Sequence, residues 1–192
     1  MLSPALLALL ICVFALIGSL PFTFLRRTSG LDWRWFVTAL PLFLAPAGFG
    51  SRRGAGLPGA AALWSYQAPW TEIAAVLLGA ASIGLIGWTV GVHRRAPRLW
   101  HQDDAPEELV TGGPYRFVRH PFYTAFLFAL GAALIAQPNL ITVVAFVVGV
   151  VVLSLTAASE DRRLAHEFGD AHQRYLSATG RFLPMLLPRR SS

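Results

Sequence analysis

The sequence predicts an all-α fold: a single membrane domain, residues 1–192, built as a bundle of about five transmembrane helices. Of its 192 residues, 55% are hydrophobic and 14% are charged, whereas a soluble domain carries about 25% charged residues. The mean hydropathy is +0.54, and the apolar residues come in long runs without a charge. These observations exclude a disordered chain and argue against a water-soluble globule.

The first half of the chain predicts three spans. A helix crosses the hydrocarbon core with roughly 20 apolar residues. Residues 2–25 carry no charge and form a run that is too long, and lacks the basic start, for a signal peptide, so we expect a retained helix. Residues 35–49 contain Pro41 and Pro46, which predict a kinked second span. Residues 73–92 are uncharged and predict the third.

A helical hairpin is predicted for residues 121–159. These 39 residues contain no ionisable acid, base or histidine, which is too long for one crossing. The sequence Gln137-Pro138-Asn139 lies near the middle and is typical of a turn. We therefore predict two antiparallel helices, at about 121–136 and 140–159. Residues near 120 and near 160 should then emerge on the same face of the membrane.

The arginines predict the orientation of the bundle. All 16 cations are arginine, and an N-terminus outside with five spans places 14 of them in inner segments and 2 in the loop 50–71. Because inner loops are enriched in basic residues, we expect the N-terminus outside and the C-terminus inside. Trp64, Tyr66 and Trp70 in the outer loop suit the headgroup region. Cations spread between apolar runs argue against nucleic acid as a partner.

Metal and disulfide chemistry are not expected. Cys12 is the single cysteine and lies in the first apolar run, which excludes a disulfide framework and a cysteine-based zinc site. The histidine and acidic residues show no ligand spacing. We therefore expect no bound metal.

Two polar segments are predicted to meet at the inner face. The first, residues 93–120, leads through Gly112-Gly113-Pro114 into a helix that begins at Pro121. The start of that helix presents free N–H groups, which suit a carboxylate. The second segment begins with Glu160 and Asp161. An acid, an imidazole, arginines and tyrosines beside an apolar bundle suggest a polar ligand next to a lipid-like one, although topology-marking arginines and an aromatic belt would give a similar pattern.

The chain after Glu160 predicts a short amphipathic helix. Leu164, Phe168, His172 and Tyr175 recur at helical spacing on one side. Such a helix would lie against the membrane or cover the end of the bundle.

The stretch 109–123 resembles a known family. Its sequence, Leu-Val-Thr-Gly-Gly-Pro-Tyr-Arg-Phe-Val-Arg-His-Pro-Phe-Tyr, is similar to the signature of the isoprenylcysteine carboxyl methyltransferases, which are related to membrane phospholipid methyltransferases. That family continues with a hydrophobic hairpin, an acidic pair and a Phe-Gly run ending near Arg-Phe-x-Pro. Here those features are residues 121–159, Glu160-Asp161, Phe168-Gly169 and residues 181–184.

The resemblance implies an integral membrane enzyme that uses S-adenosyl-L-methionine, with the cofactor at the cytosolic end of residues 93–192 and covered by the C-terminal amphipathic helix. Residues 1–92 match only as generic spans. His120 and Glu160 are implied as catalytic. The implied cofactor-binding residues are Leu109, Val110, Gly113, Tyr115, Arg119, His120, Pro121, Tyr123 and Glu160.

The acceptor stays open at this point. The resemblance implies a lipid-like or small hydrophobic acceptor that arrives from the bilayer, with membrane lipids as the surrounding partners. The eukaryotic prenylcysteine enzymes have an arginine one helical turn before the key glutamate, where this chain has Thr156. This difference argues against prenylcysteine and leaves a phospholipid amine, a small thiol or a small isoprenoid acid. The sequence is also compatible with an NADPH-dependent enzyme similar to membrane sterol reductases, and with a non-enzymatic membrane protein.

Overall fold

The computed structural model describes residues 3–25, 33–49, 69–92 and 109–185, and the regular structure in these ranges is helical, as the sequence predicts. Strands are absent from the described ranges, and the one isolated β-bridge there pairs Val118 with Gly180. The helices are α1 (Pro4–Leu25), α2 (Trp33–Ala47), α3 (Pro69–Val92), α4 (Pro121–Ala136) and α5 (Leu140–Ala178), with a short 3-10 turn at Gly113–Arg116.

The helices alternate in direction through the bundle. Leu6 near the start of α1, Ala75 near the start of α3 and Ala136 at the end of α4 pack in one apolar cluster. The carbonyl of Gly48, just after α2, accepts a hydrogen bond of 3.1 Å from Asn139 in the α4–α5 turn. The ends of α2 and α4 therefore share one end of the bundle with the starts of α1, α3 and α5.

The predicted hairpin is confirmed at the start of α4 and at the turn between α4 and α5. His120 is the residue before α4, and Pro121 lies in its first turn. A proline is well tolerated there because an N–H group in the first turn has no partner within the helix. Asn139 caps α5: its side chain accepts from the Thr142 N–H at 3.0 Å, and the Thr142 hydroxyl accepts from the Asn139 N–H at 3.1 Å. This reciprocal cap fixes where the turn ends and α5 begins.

Small residues let α3 and α4 approach closely. Ala125, Ala129 and Ala132 are fully buried, and the Ser82 hydroxyl of α3 donates to the Ala125 carbonyl of α4 at 2.8 Å. Membrane helices associate through close packing and occasional hydrogen bonds of this kind. The pair forms the centre of the bundle and supports α4 at its starting end.

Two of the described helices, α3 and α5, are long and apolar enough to cross a membrane, and the described parts of the others are shorter apolar helices. Large apolar side chains face outward, with Leu77 64% exposed and Leu155 66% exposed, which suits a lipid surround. The other sequence features that predict topology lie outside the described residues. They are the loop 50–68, with Trp64 and Tyr66, and most of the arginines that predict orientation.

The C-terminal residues extend α5 instead of forming the separate amphipathic helix that the sequence predicts. The helix does not end at 159; α5 continues to Ala178, with a break at Gly169, whose φ of 48° favours glycine. The predicted amphipathic face is present, since His172 is buried and Leu164, Phe168 and Tyr175 are partly buried. Residues 179–185, called here the C-terminal segment, follow α5 without regular structure.

Candidate functional site

The residues flanking the hairpin meet where α4 begins and the apolar part of α5 ends. The His120 ring lies between two neighbouring carboxylates: its Nε2 is 2.9 Å from Asp161 Oδ1, and its Nδ1 is 3.3 Å from Glu160 Oε2. Consecutive residues point about 100° apart around a helix, so one acid can face each ring nitrogen. The predicted meeting of residues near 120 and near 160 is therefore present.

Two tyrosines join this arrangement. The Tyr123 hydroxyl donates to Glu160 Oε1 at 2.7 Å, and its ring stacks on His120 with centroids 5.5 Å apart. Burial, together with the negative charge of Glu160, raises the pKa of Tyr115 well above its usual value. We call His120, Tyr123, Glu160 and Asp161 the His120 cluster.

The two carboxylates favour the charged form of the imidazole. Burial lowers the pKa of His120, but hydrogen bonds to Asp161 and Glu160 and their negative charges outweigh burial, so the pKa lies above its usual 6.5. Burial raises the pKa of Asp161, and the hydrogen bond and positive charge of His120, with Arg119 and Arg181, bring it below its usual value. Both shifts favour the charged forms of the acid and the imidazole.

The C-terminal segment covers the start of α4. The backbone N–H of His120 donates to the Arg181 carbonyl at 3.2 Å, and the Thr124 hydroxyl donates to the Phe182 carbonyl at 3.0 Å. The Phe182 ring lies 6.2 Å from the His120 ring. Two polar groups at this helix start, the His120 N–H and the Thr124 hydroxyl, therefore bond the protein's own backbone, and the carboxylate site predicted for the first-turn N–H groups stays a prediction.

Arg119 contacts the protein interior. Its Nη1 donates to the carbonyls of Leu176 (3.3 Å) and Thr179 at the end of α5, and its Nε lies 3.6 Å from Asp161 Oδ1. A guanidinium at a helix C-terminus satisfies carbonyls that have no helical partner. These contacts hold the end of α5 against the start of α4.

The remaining predicted residues lie on the approach to α4. Gly113 has a φ of 59°, and a Cβ there would collide with the Val92 side chain of α3. Leu109 is partly buried and Val110 is 37% exposed, just ahead of the 3-10 turn. Pro121 is buried in the first turn of α4. These residues shape the backbone beside the His120 cluster.

The acid that sequence reasoning left out of the site is Asp161. The sequence identifies it as half of an acidic pair, but only the structure shows its carboxylate on the imidazole. Its adjacency to Glu160 at the end of an apolar helix is the signal that could have identified it.

A family model describes most of this region. Residues 65–171, more than half of the chain, match the model of the phospholipid methyltransferase family. The chain belongs to that family. The matched range includes α3, the hairpin and the whole His120 cluster. Membership supports a methyltransferase and, with the two long apolar helices, association with a membrane.

No curated protein and no solved structure matches this chain significantly. The family model and the geometry of the site are therefore the basis for the function.

Proposed function

We propose that this protein is an integral membrane methyltransferase that takes its methyl group from S-adenosyl-L-methionine at the His120 cluster and gives it to an amphipathic lipid. The observation that carries the proposal is the convergence of His120, Tyr123 and Glu160 at the end of a hairpin inside the range that matches a methyltransferase family.

The residues of the cluster fit the cofactor's positive end. The side chain of Glu160 is 30% exposed, so this carboxylate can accept an ammonium group while Tyr123 and His120 fix its direction. Charge-assisted hydrogen bonds of this type are about twice as strong as neutral ones. The partly exposed ring of Tyr115 can offer an electron-rich face to a sulfonium, whereas the Tyr123 ring is buried and stacked on His120. Arg119 is engaged with backbone carbonyls and fits a cofactor carboxylate less well.

The cofactor, when bound, supplies an electrophilic methyl group on a sulfonium sulfur. The chain's own task is to align the acceptor with that methyl group and to exclude water. The C-terminal segment, through its contacts to His120 and Thr124, covers the cluster on one side. His120, held between two carboxylates, acts here as a positively charged anchor for Glu160 rather than as a base.

An apolar groove beside the cluster suits the acceptor's hydrocarbon chain. It is a small, partly open groove lined by Phe14, Ile17, Gly18, Thr38, Ala39, Leu42, Phe43 and Phe126. The Phe126 ring lies 6.3 Å from the Tyr123 ring, so one residue that lines the groove also contacts the His120 cluster. A chain lying there would keep its tail among apolar side chains and its head at the cluster.

A phospholipid amine is the acceptor that this proposal favours. The family description names phospholipids, and Thr156, in the position where prenylcysteine enzymes carry an arginine, spends its hydroxyl on the Val152 carbonyl at 2.9 Å. Transfer to a neutral amine forms a carbon–nitrogen bond as the carbon–sulfur bond breaks, and the positive charge passes from the sulfur to the methylated nitrogen. A thiol acceptor follows the same alignment.

Calorimetry of the detergent-solubilised protein tests the proposal. We expect binding of S-adenosylmethionine and S-adenosylhomocysteine and no binding of NADPH. Incubation with a labelled methyl donor and extracted membrane lipids should then place the label in the lipid fraction. Binding of NADPH alone would favour a reductase, and binding of neither would contradict an enzyme of this kind.

A further inference from the structure

Asp161 occupies the central position of the polar contacts at this end of the bundle. Its Oδ1 lies 2.9 Å from His120 Nε2 and 3.6 Å from Arg119 Nε, and its Oδ2 lies 3.4 Å from Arg181 Nε. Its backbone carbonyl faces His172 Nε2 at 3.3 Å. One carboxylate therefore touches the start of α4 and the C-terminal segment from α5.

The two neighbouring acids have different surroundings. The Asp161 side chain is 10% exposed and points into the protein, whereas that of Glu160 is 30% exposed. A buried carboxylate is stable only when it is paired and hydrogen-bonded. Asp161 is paired with protein groups, since its Oδ1 bonds His120 and its buried Oδ2 has an ion-pair contact to Arg181 but no hydrogen-bond partner among the described residues. This leaves Glu160, which is more exposed, as the acid that can also reach a ligand.

Asp161 restricts the orientation of the His120 ring. An imidazole has two donor nitrogens only when it is charged, and here each nitrogen faces a carboxylate oxygen. Because Asp161 holds Nε2, the ring cannot turn Nδ1 away from Glu160 without losing both contacts. The charged and titratable groups around the ring are Arg119, Tyr123, Glu160, Asp161, His172 and Arg181.

We propose that Asp161 is a positioning residue: it holds the His120 ring with protons on both nitrogens and Nδ1 turned toward Glu160, and it holds the C-terminal segment over that ring through Arg181. Its effect on the cofactor rests on the proposed function, since it acts through His120 and Glu160. Its effect on His120 itself does not depend on any ligand.

Nitrogen-15 NMR of histidine-labelled protein in detergent tests the role directly, with the His120 signal assigned from His120→Gln. We expect both ring nitrogens of the wild type to be protonated at neutral pH. A neutral His120 ring at that pH would overturn the proposal without the need for any Asp161 variant.

Asp161→Asn keeps the shape of the side chain and removes its charge. We expect the titration midpoint of His120 to move to lower pH and the affinity for S-adenosylhomocysteine to fall about tenfold. Asp161→Glu, which restores the carboxylate, should recover part of both effects. The matched control is Asp170→Asn, which removes an exposed acid from the same helix and should change neither.

The outcomes separate the two proposals. An unchanged His120 midpoint in Asp161→Asn, or an unchanged affinity in a protein that binds S-adenosylhomocysteine, would overturn the role of Asp161. If the wild type binds no S-adenosylhomocysteine, the proposed function fails, while the NMR titration still decides whether Asp161 positions His120.

Discussion

His120 is the residue on which the local arrangement depends. It precedes α4, so its backbone N–H is free to bond the C-terminal segment, while its ring reaches two acids of α5. The two carboxylates and the stacked Tyr123 ring restrict the direction of the imidazole. One side chain thus joins α4 to α5.

Removal of either the His120 imidazole or the Glu160 charge should weaken cofactor binding. We expect His120→Ala and Glu160→Gln each to reduce the affinity for S-adenosylhomocysteine at least tenfold, about 1.4 kcal/mol, because the ammonium loses its oriented carboxylate. Titration calorimetry measures the effect. His166→Ala, which removes an exposed imidazole from α5, is the control, and unchanged affinity in both site variants would refute the placement.

The raised pKa of His120 predicts a pH-dependent contribution to stability. Because the folded-state pKa lies above the usual 6.5, this contribution is fully present below about pH 6.5 and is lost as the pH rises through the folded-state pKa. The difference in melting temperature between wild type and His120→Ala in detergent should shrink across that range. A difference that grows with pH would contradict the sign.

At the scale of helices and turns, the approach to α4 depends on backbone conformation. The 3-10 turn begins at Gly113, whose positive φ puts its backbone against Val92 and Trp88 at the end of α3. Pro114 is buried in this turn. The turn thereby sets where Tyr115 and His120 stand relative to α3.

Gly113→Ala should destabilise the protein clearly. A side chain at a φ of 59° costs about 1–2 kcal/mol, and the added Cβ meets the Val92 side chain. The neighbouring Gly112 has a φ of −85° and open space around it, so Gly112→Ala is the matched control. Thermal unfolding in detergent should show a lower melting temperature for Gly113→Ala only; equal effects would argue against the turn geometry.

At the scale of the whole molecule, alternating helices place the two ends of α3 on opposite faces of the bundle. Trp70 lies at the end that also holds the α4–α5 turn, and Ser177 lies beyond the His120 cluster. Between these two positions the chain runs through α3, α4 and α5 in alternating directions. A membrane-spanning bundle requires Trp70 and Ser177 to be exposed to opposite compartments.

Cysteine labelling tests this topology. In a Cys12→Ser background, Trp70→Cys should react with an impermeant maleimide in right-side-out vesicles, and Ser177→Cys should react only in inverted vesicles, since the arginine pattern predicts the C-terminus inside. Trp70 is 67% exposed and Ser177 is also exposed. Labelling of both from one side would contradict the bundle.

The sequence by itself determined the hairpin, the starts of its two helices at Pro121 and Leu140, and the meeting of His120 with Glu160. These features follow from signals that act locally along the chain, namely the length of the uncharged run, its prolines and its asparagine. Only the tertiary structure decided that α5 continues to Ala178, that Asp161 as well as Glu160 contacts the His120 ring, and that the C-terminal segment contacts the start of α4. These features depend on contacts between residues forty to sixty positions apart, and the spacing of residues within one helix carries no information about such contacts.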